Sequence, residues 1–195
     1  KESLSPHLAL SRAGITFSRQ KVLAALDALR DRYDAVLVEG AGGLMVPIGR
    51  DYLMVDLARD IGAPVVIVAR LGLGTINHAL LTIEQARIKG LDVAGVIFNS
   101  ASRKNGGIPE KTNPNAVKRY GKVPVLGTVP CLAPLTRQNI LRMCRQVQVK
   151  KIFSSDGRQS TILQDLDKKR LWHPFTQMRD WLTEEPLVIE EGRGV

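Results

Sequence analysis

The sequence predicts a three-layer α/β fold built around a parallel sheet, and two observations support this prediction. Short runs of Val, Ile and Leu alternate with segments in which apolar residues repeat every three or four positions. Strands that alternate with helices in this way are typical of parallel sheets with right-handed crossovers. Aromatic residues make up only 5% of the chain, so the core must be largely aliphatic, as it is in strands that are buried on both faces.

Four strands and their helices follow from apolar spacing and from turn residues. The helix over 19–33 places Val22, Leu26 and Leu29 on one face. The predicted elements are, in order, a helix over 19–33, a strand over 34–39, a helix near 53–61 that ends at Gly62, a strand over 64–69, a helix capped by Thr75 that ends at Lys89-Gly90, a strand over 93–98, a loop over 100–111, a short helix near 115–120, a strand over 123–128 and a helix over about 135–147.

The end of the first predicted strand carries the most chemical information. Glu39 follows an apolar run, and Gly40, Gly42 and Gly43 come directly after it. Backbone without Cβ atoms can turn sharply and present its N–H groups to phosphates, and a carboxylate beside them can hold Mg²⁺ on a nucleotide. The alternative is a turn in which the glycines serve only the bend, and the motif alone does not separate the two interpretations.

The formal net charge of +9 comes from one part of the chain. Residues 103–151 carry 11 Lys or Arg against Glu110 alone. Such a surface can attract phosphates or can simply be solvated. Tyr120 is the only aromatic residue in this stretch, so the sequence has no interleaved aromatic platform for bases, and nucleic-acid binding is not favoured.

The chain has no apolar segment long enough to span a bilayer and no apolar segment of signal-peptide type at its polar start. We therefore expect a soluble, cytoplasmic protein without a membrane partner. Cys131 and Cys144 lie 13 positions apart, a spacing that fits neither a common zinc pattern nor a disulfide framework. Two reduced, partly buried thiols are expected.

Five segments occur in the order, and at the approximate spacing, of a known family. They are Ser5-Pro-His-Leu-Ala9, Val38-Glu-Gly-Ala-Gly-Gly-Leu-Met-Val-Pro47, Leu71-Gly-Leu-Gly-Thr-Ile-Asn-His78 with Leu80-Leu-Thr82, Gly95-Val-Ile-Phe-Asn99 and Pro124-Val-Leu-Gly-Thr-Val-Pro130. Together they resemble the dethiobiotin synthetase family, and the resemblance covers roughly residues 1–147. It implies a fold of the P-loop NTPase type, a homodimer, and a reaction that uses ATP and Mg²⁺.

The resemblance also implies a reaction and its site residues. A carbamate forms from 7,8-diaminononanoate and CO₂ or bicarbonate, ATP phosphorylates it, and the second amine closes the ring. Glu39 matches a Mg²⁺ ligand, and the other matches form a nucleotide and substrate loop and a base-binding region. The loop residues are Gly40, Ala41 and Gly42, and the base-binding residues are Asn99, Ser100, Pro130, Cys131 and Leu132.

The family's phosphate loop has no counterpart in this sequence. No G-x-x-x-x-G-K-[ST] occurs, and in the resembled family this loop precedes the Ser-Pro-His segment, with which this chain begins. We therefore expect an amino-terminal truncation, a Gly-rich loop ending in Lys-Thr or Lys-Ser encoded upstream of Lys1, and no ATP turnover by the 195-residue chain alone. Because the loop lysine is absent, the catalytic residues are unknown.

The last part of the sequence has a different character. Residues 148–166 are polar and are predicted to be a linker. Residues 167–195 contain Trp172-His-Pro-Phe-Thr-Gln-Met178 and resemble the opening of diaminopelargonic acid aminotransferase, so the chain is expected to join two enzymes. This resemblance implies pyridoxal phosphate only in an aminotransferase part beyond Val195.

A non-catalytic function is the main alternative. A partition or positioning ATPase relative could hold DNA through the basic stretch over 103–151, although such relatives usually place Asp after the strand where this chain has Glu39 and its glycines. An amidotransferring ligase of similar fold is a third possibility. It would need a glutaminase cysteine in its own domain, a setting that neither Cys131 nor Cys144 has.

Overall fold

The computed structural model describes residues 4–100, 107–132, 134–148 and 152. The described helices are α1 (Pro6–Arg12), α2 (Arg19–Arg32), α3 (Met54–Ile61), α4 (Thr75–Ile88), α5 (Ile108–Gly121) and α6 (Arg137–Cys144), and the strands are β1 (Pro47–Gly49), β2 (Tyr52–Leu53), β3 (Val65–Arg70), β4 (Val93–Asn99) and β5 (Val125–Val129). None of these helices combines the length and apolar character that a bilayer crossing requires. The predicted linker and aminotransferase segment lie outside the described residues, except for Gln148 and Ile152.

The chain divides into two compact units. One contains residues 1–19 and 40–153, and the other contains residues 20–39 together with 154–195. The described part of the second unit is α2 from its second residue onward and the segment that leads to Glu39. The helix predicted over 19–33 is confirmed, and Leu26 is its buried residue.

A three-stranded parallel sheet in the order β3-β4-β5 forms the centre of the first unit. Its side chains pack with those of α4 and α5 around Phe98 and Val96 on β4, Ile83 on α4 and Val117 on α5, none of which is exposed. Burying side chains of this size stabilises the fold by about 1.5–3 kcal/mol each. The prediction of a parallel α/β sheet is confirmed, and so are the strands predicted over 64–69, 93–98 and 123–128, each displaced by no more than two residues at either end.

The strand predicted over 34–39 is wrong. Residues 35–40 form neither helix nor strand, and Leu37 and Val38 are 84% and 46% exposed. An extended segment needs a neighbouring strand to satisfy its N–H and C=O groups, and no described strand pairs with this one. The apolar run over 34–39 resembles the runs of β3 and β4, but no strand in the described part of the chain pairs with it.

Several predicted helix boundaries also need correction. Residues 108–111 belong to α5 and not to the predicted loop, and α5 contains Pro114 in its interior. Thr75 does not cap α4, because Gly74 holds the cap position in a left-handed conformation and Thr75 is the first helical residue. Helix α6 is shorter than predicted and begins after Thr136, whose Oγ1 accepts a hydrogen bond from the Asn139 N–H. The short helix α1 and the antiparallel β1–β2 pair were not predicted.

A polar cluster connects Phe17 and Arg19, the first residue of α2, with Tyr52 and with Asp60 of α3. The Arg19 guanidinium donates to both carboxylate oxygens of Asp60, with Nε–Oδ2 at 2.5 Å and Nη2–Oδ1 at 2.9 Å. The Tyr52 hydroxyl also donates to Asp60, and the Tyr52 ring stacks on Phe17 at 5.2 Å between centroids. Hydrogen bonds from Arg19 and Tyr52 lower the pKa of Asp60, whereas burial and the bond to Asp60 raise the pKa of Tyr52 to about 12.

Replacing Tyr52 by Phe keeps the ring stack and removes one hydrogen bond to Asp60. We expect Tyr52→Phe to lower the free energy of unfolding at pH 7 by about 1.5–3 kcal/mol, the usual net value of a hydrogen bond to a charged group. Because the folded-state pKa of Tyr52 is raised, this contribution is fully present below the ordinary tyrosine pKa of about 10 and is lost as the pH rises through about 12. Urea unfolding at several pH values measures the difference.

Tyr120→Phe is the matched control, since Tyr120 is 65% exposed and its ring contacts only the exposed Arg119 among the interactions described. A loss of stability in Tyr52→Phe no larger than that in Tyr120→Phe would contradict the cluster's contribution. A difference that does not decline above about pH 10 would contradict the assigned pKa shift.

Candidate functional site

The carboxyl ends of the three parallel strands meet at one edge of the sheet, where the predicted base-binding residues lie. Asn99, the last residue of β4, pairs in register with Arg70 of β3 and Val129 of β5. The Leu71 N–H donates to the Asn99 carbonyl at 3.2 Å, and the Ser100 N–H donates to the Val129 carbonyl at 2.9 Å. The main chain of Asn99 and Ser100 is thus bonded to both neighbouring strands.

The residues after β5 continue this edge. Pro130 follows Val129 directly and is exposed, whereas Cys131 and Leu132 are half-buried. Ser100, whose N–H bonds to Val129, is 6% exposed. The structure therefore brings Asn99, Ser100 and Pro130 together at the ends of adjacent strands. Cys131 and Cys144 are both partly buried and form no disulfide, as the sequence predicted.

The glycine loop over 40–46 lies against the start of α3. The carbonyls of Leu44 and Val46 accept hydrogen bonds from the Val55 and Met54 N–H groups at 2.8 Å and 2.9 Å. A Cβ on Gly40 would lie 3.3 Å from Cγ of the Met54 side chain. The first N–H groups of α3 are therefore used to hold the loop, and the loop residues Gly40, Ala41 and Gly42 remain exposed.

Gly42 is the position in this loop that requires glycine. Its φ is +83°, and a Cβ there would lie 2.9 Å from Cγ2 of Val46. The backbone N–H of Val46 donates to the Gly43 carbonyl at 3.0 Å. A left-handed conformation is costly for residues with a Cβ. Gly43 has no atom within 4 Å of such a Cβ, so the two adjacent glycines have different roles.

Glu39 is the last residue of the segment 20–39, which belongs to the second unit, and its side chain is exposed. Among the described residues, no group of three or more His, Cys, Asp or Glu side chains could hold a metal ion by itself. Mg²⁺ bound with a nucleotide does not need such a group, because it is usually held by one or two carboxylates, phosphate oxygens and water. A single exposed carboxylate such as that of Glu39 is enough for binding of that kind.

A cavity of about 180 Å³ lies between β3 and α4. Its lining includes Arg70, Thr75, His78 and Thr82, and the Val68 side chain on the same strand is 66% exposed. His78 is on the first turn of α4 and is itself exposed. None of the predicted site residues belongs to the lining described for this cavity.

Sequence reasoning missed Asn113, a buried polar residue close to the sheet edge. It lies in α5, is 5% exposed, and its Nδ2 donates to the carbonyls of Leu71 and Gly72, both at 3.0 Å. Asn113 falls between the loop predicted over 100–111 and the helix predicted near 115–120, so it belongs to neither predicted element. Pro109 in the first turn is a helix-start signal that could have placed Asn113 inside α5.

Comparison with known proteins adds a family and a set of relatives. A family model described as AAA domain matches residues 1–139. Proteins named ATP-dependent dethiobiotin synthetase BioD are 42% identical over 143 residues in Bacillus velezensis, 40% over 145 residues in Bacillus subtilis strain 168 and 40% over 144 residues in Thermodesulfovibrio yellowstonii. The matches cover 73%, 74% and 70% of this chain and 61%, 62% and 60% of those proteins. The chain therefore spans about three-fifths of the length of these relatives.

The geometry of the glycine loop gives a stability prediction. We expect Gly42→Ala to lower the free energy of unfolding by about 1–2 kcal/mol, because alanine is strained at a positive φ and its Cβ would press on Val46. Gly43→Ala is the control and should leave stability unchanged or slightly raised, since alanine restricts the unfolded chain. Equal effects of the two substitutions in urea unfolding would contradict the assigned loop conformation.

Proposed function

Because the chain belongs to the AAA domain family, whose model matches residues 1–139, we propose that it is part of an ATP- and Mg²⁺-dependent dethiobiotin synthetase. The observation that carries this proposal is the identity of about 40% over at least 70% of the chain with proteins of that printed name. In the proposed reaction, 7,8-diaminononanoate takes up CO₂ as a carbamate, the carbamate is phosphorylated, and the second amine displaces phosphate to close the ring.

The proposed roles follow the chemistry of the side chains. Phosphoryl transfer depends mainly on positioning and on neutralising negative charge. Glu39 would hold Mg²⁺ through its carboxylate, and the exposed backbone of Gly40, Ala41 and Gly42 would approach phosphate oxygens and the substrate. The Mg²⁺ ion, when bound, would offset the charge of the phosphates.

At the sheet edge, the proposed contacts are with the nucleotide base. The Asn99 amide offers both a donor and an acceptor to the base, and Ser100 lies beside it. The segment over Pro130, Cys131 and Leu132 would form the wall against which the base lies. The meeting of the β4 and β5 ends supports this assignment, since ligands of parallel α/β folds gather beyond the carboxyl ends of the strands.

The proposal extends to the organisation of the whole protein. Residues 1–147 would form the synthetase part, 148–166 a linker, and 167–195 the beginning of an aminotransferase whose pyridoxal phosphate is bound elsewhere in that enzyme. A cytoplasmic homodimer is part of the same proposal. Sequencing the gene downstream of codon 195 tests the fusion: the aminotransferase with its Schiff-base lysine should follow, and an unrelated or absent continuation would contradict it.

The activity is tested with the complete gene product that carries this sequence. Dethiobiotin should form from 7,8-diaminononanoate, bicarbonate and MgATP, as detected by mass spectrometry. We expect Glu39→Gln to lower kcat/KM by about 100-fold, comparable to the removal of one charge-stabilising group in other enzymes, and to raise the Mg²⁺ concentration needed for half-maximal rate.

Glu84→Gln is the matched control, because Glu84 is an exposed glutamate on α4 that pairs with Arg87. It should leave both the rate and the Mg²⁺ requirement unchanged. If no dethiobiotin forms, the proposed function is wrong. If dethiobiotin forms but Glu39→Gln behaves like Glu84→Gln, the Mg²⁺ role of Glu39 is wrong. Salt-sensitive binding of DNA in place of catalysis would favour the alternative function.

A further inference from the structure

Helix α5 contacts the turn that follows β3 through a buried amide. Asn113 is 5% exposed, and its Nδ2 donates to two consecutive carbonyls, those of Leu71 and Gly72, across 42 and 41 positions of sequence. The first turn of the same helix also approaches this turn, since a Cβ on Gly72 would lie 3.7 Å from Oε1 of Glu110. The two hydrogen bonds therefore hold two consecutive peptide units, Leu71–Gly72 and Gly72–Leu73.

The same peptide segment is bonded to Asn99. Leu71 accepts from Asn113 through its carbonyl and donates through its N–H to the Asn99 carbonyl at 3.2 Å. On the other side, the Ser100 N–H donates to the Val129 carbonyl. The main chain of Asn99 is thus bonded to the ends of both neighbouring strands, and Asn113 holds the residues that follow one of them.

We propose that Asn113 is a positioning residue that orients Asn99 and thereby sets the preference for adenine over guanine nucleotides. This inference rests on the proposed function, in which the Asn99 amide contacts the base. Adenine and guanine differ in where they present donors and acceptors, so discrimination requires an amide in a fixed orientation. A site that hydrogen-bonds its ligand discriminates strongly, because a wrong partner leaves buried polar groups unpaired.

Only a donor at position 113 can make this connection. Asn113→Asp keeps the size of the side chain but turns acceptor oxygens toward two carbonyl oxygens, which repel them. Asn113→Ala removes the donor and leaves the carbonyls of Leu71 and Gly72 without it. Both substitutions should increase the mobility of the turn at Leu71 and Gly72, because they remove its hydrogen bonds to α5. The control is Asn115→Ala, because Asn115 is the same residue type in the same helix and is exposed.

The first measurement compares kcat/KM for ATP and GTP in the complete gene product, well below the melting temperature of every variant. Asn113→Asp and Asn113→Ala should each lower the ATP-to-GTP ratio about fivefold to tenfold, the value of about one hydrogen bond. Asn99→Ala should do the same. The double variant Asn99→Ala/Asn113→Ala should lose little more than Asn99→Ala, since both changes affect one contact. Asn115→Ala should keep the wild-type ratio.

The second measurement is hydrogen exchange, which does not depend on activity. In Asn113→Ala the Leu71 amide, bonded to Asn99, should exchange faster, while the Val96 amide, bonded to the Pro124 carbonyl at 2.9 Å, should keep its protection. A lower melting temperature with an unchanged ATP-to-GTP ratio would show that Asn113 is only structural and would overturn the inference. Unchanged exchange at Leu71 would also overturn it.

The two measurements separate this inference from the proposed function. If the wild-type protein forms no dethiobiotin, the proposed function is wrong, and the role of Asn113 in base preference is wrong with it. Faster exchange at Leu71 would then still support the mechanical connection from Asn113 to Asn99. If dethiobiotin forms and the ratio does not change in the Asn113 variants, the proposed function stands and only this inference is lost.

Discussion

The parallel ladder on both edges of β4 is the constraint on which the first unit depends. Strand β4 bonds to β3 and to β5, and its side chains Val96 and Phe98 are fully buried against α4 and α5. Because its main chain is paired on both sides, the end of β4 has little freedom, and Asn99 and Ser100 emerge at a fixed place. The burial that stabilises the sheet also determines where its polar edge lies.

The sequence predicted an element correctly where the local pattern of apolar residues matched the packing partners that the fold supplies. Apolar runs predicted β3, β4 and β5. Apolar residues repeat at helical spacing in α4, at Ile76, Ala79 and Ile83, and the same residues pack in the core. The run over 34–39 has the same composition but does not form a strand. Composition specifies which segments can pair, whereas the availability of a neighbouring strand decides which of them do, and that is a property of the whole fold.

The same distinction applies to the candidate site. The position of Asn99 and Pro130 at one edge could be predicted, since parallel strands end on the same side of a sheet. Asn113 could not, because its role depends on two carbonyls more than 40 positions away. The bond between Arg19 and Asp60 spans 41 positions and was missed for the same reason. Contacts from side chains to distant partners leave no periodic signal in the sequence.

The glycine loop and the sheet edge, the two parts of the proposed site that lie in the first unit, are held by different sets of hydrogen bonds. The glycine loop is tied by its own carbonyls to the first N–H groups of α3, and the other end of α3 carries Asp60, which Arg19 and Tyr52 bind. The sheet edge is held by the strand ladder and by the amide of Asn113. The two sets of hydrogen bonds share no residue. Substitutions of Arg19, Tyr52 or Asp60 should therefore affect mainly the glycine loop, and substitutions of Asn113 mainly the sheet edge. In the proposed function, substitutions around α3 would therefore alter phosphate binding, and substitutions at Asn113 would alter base selection.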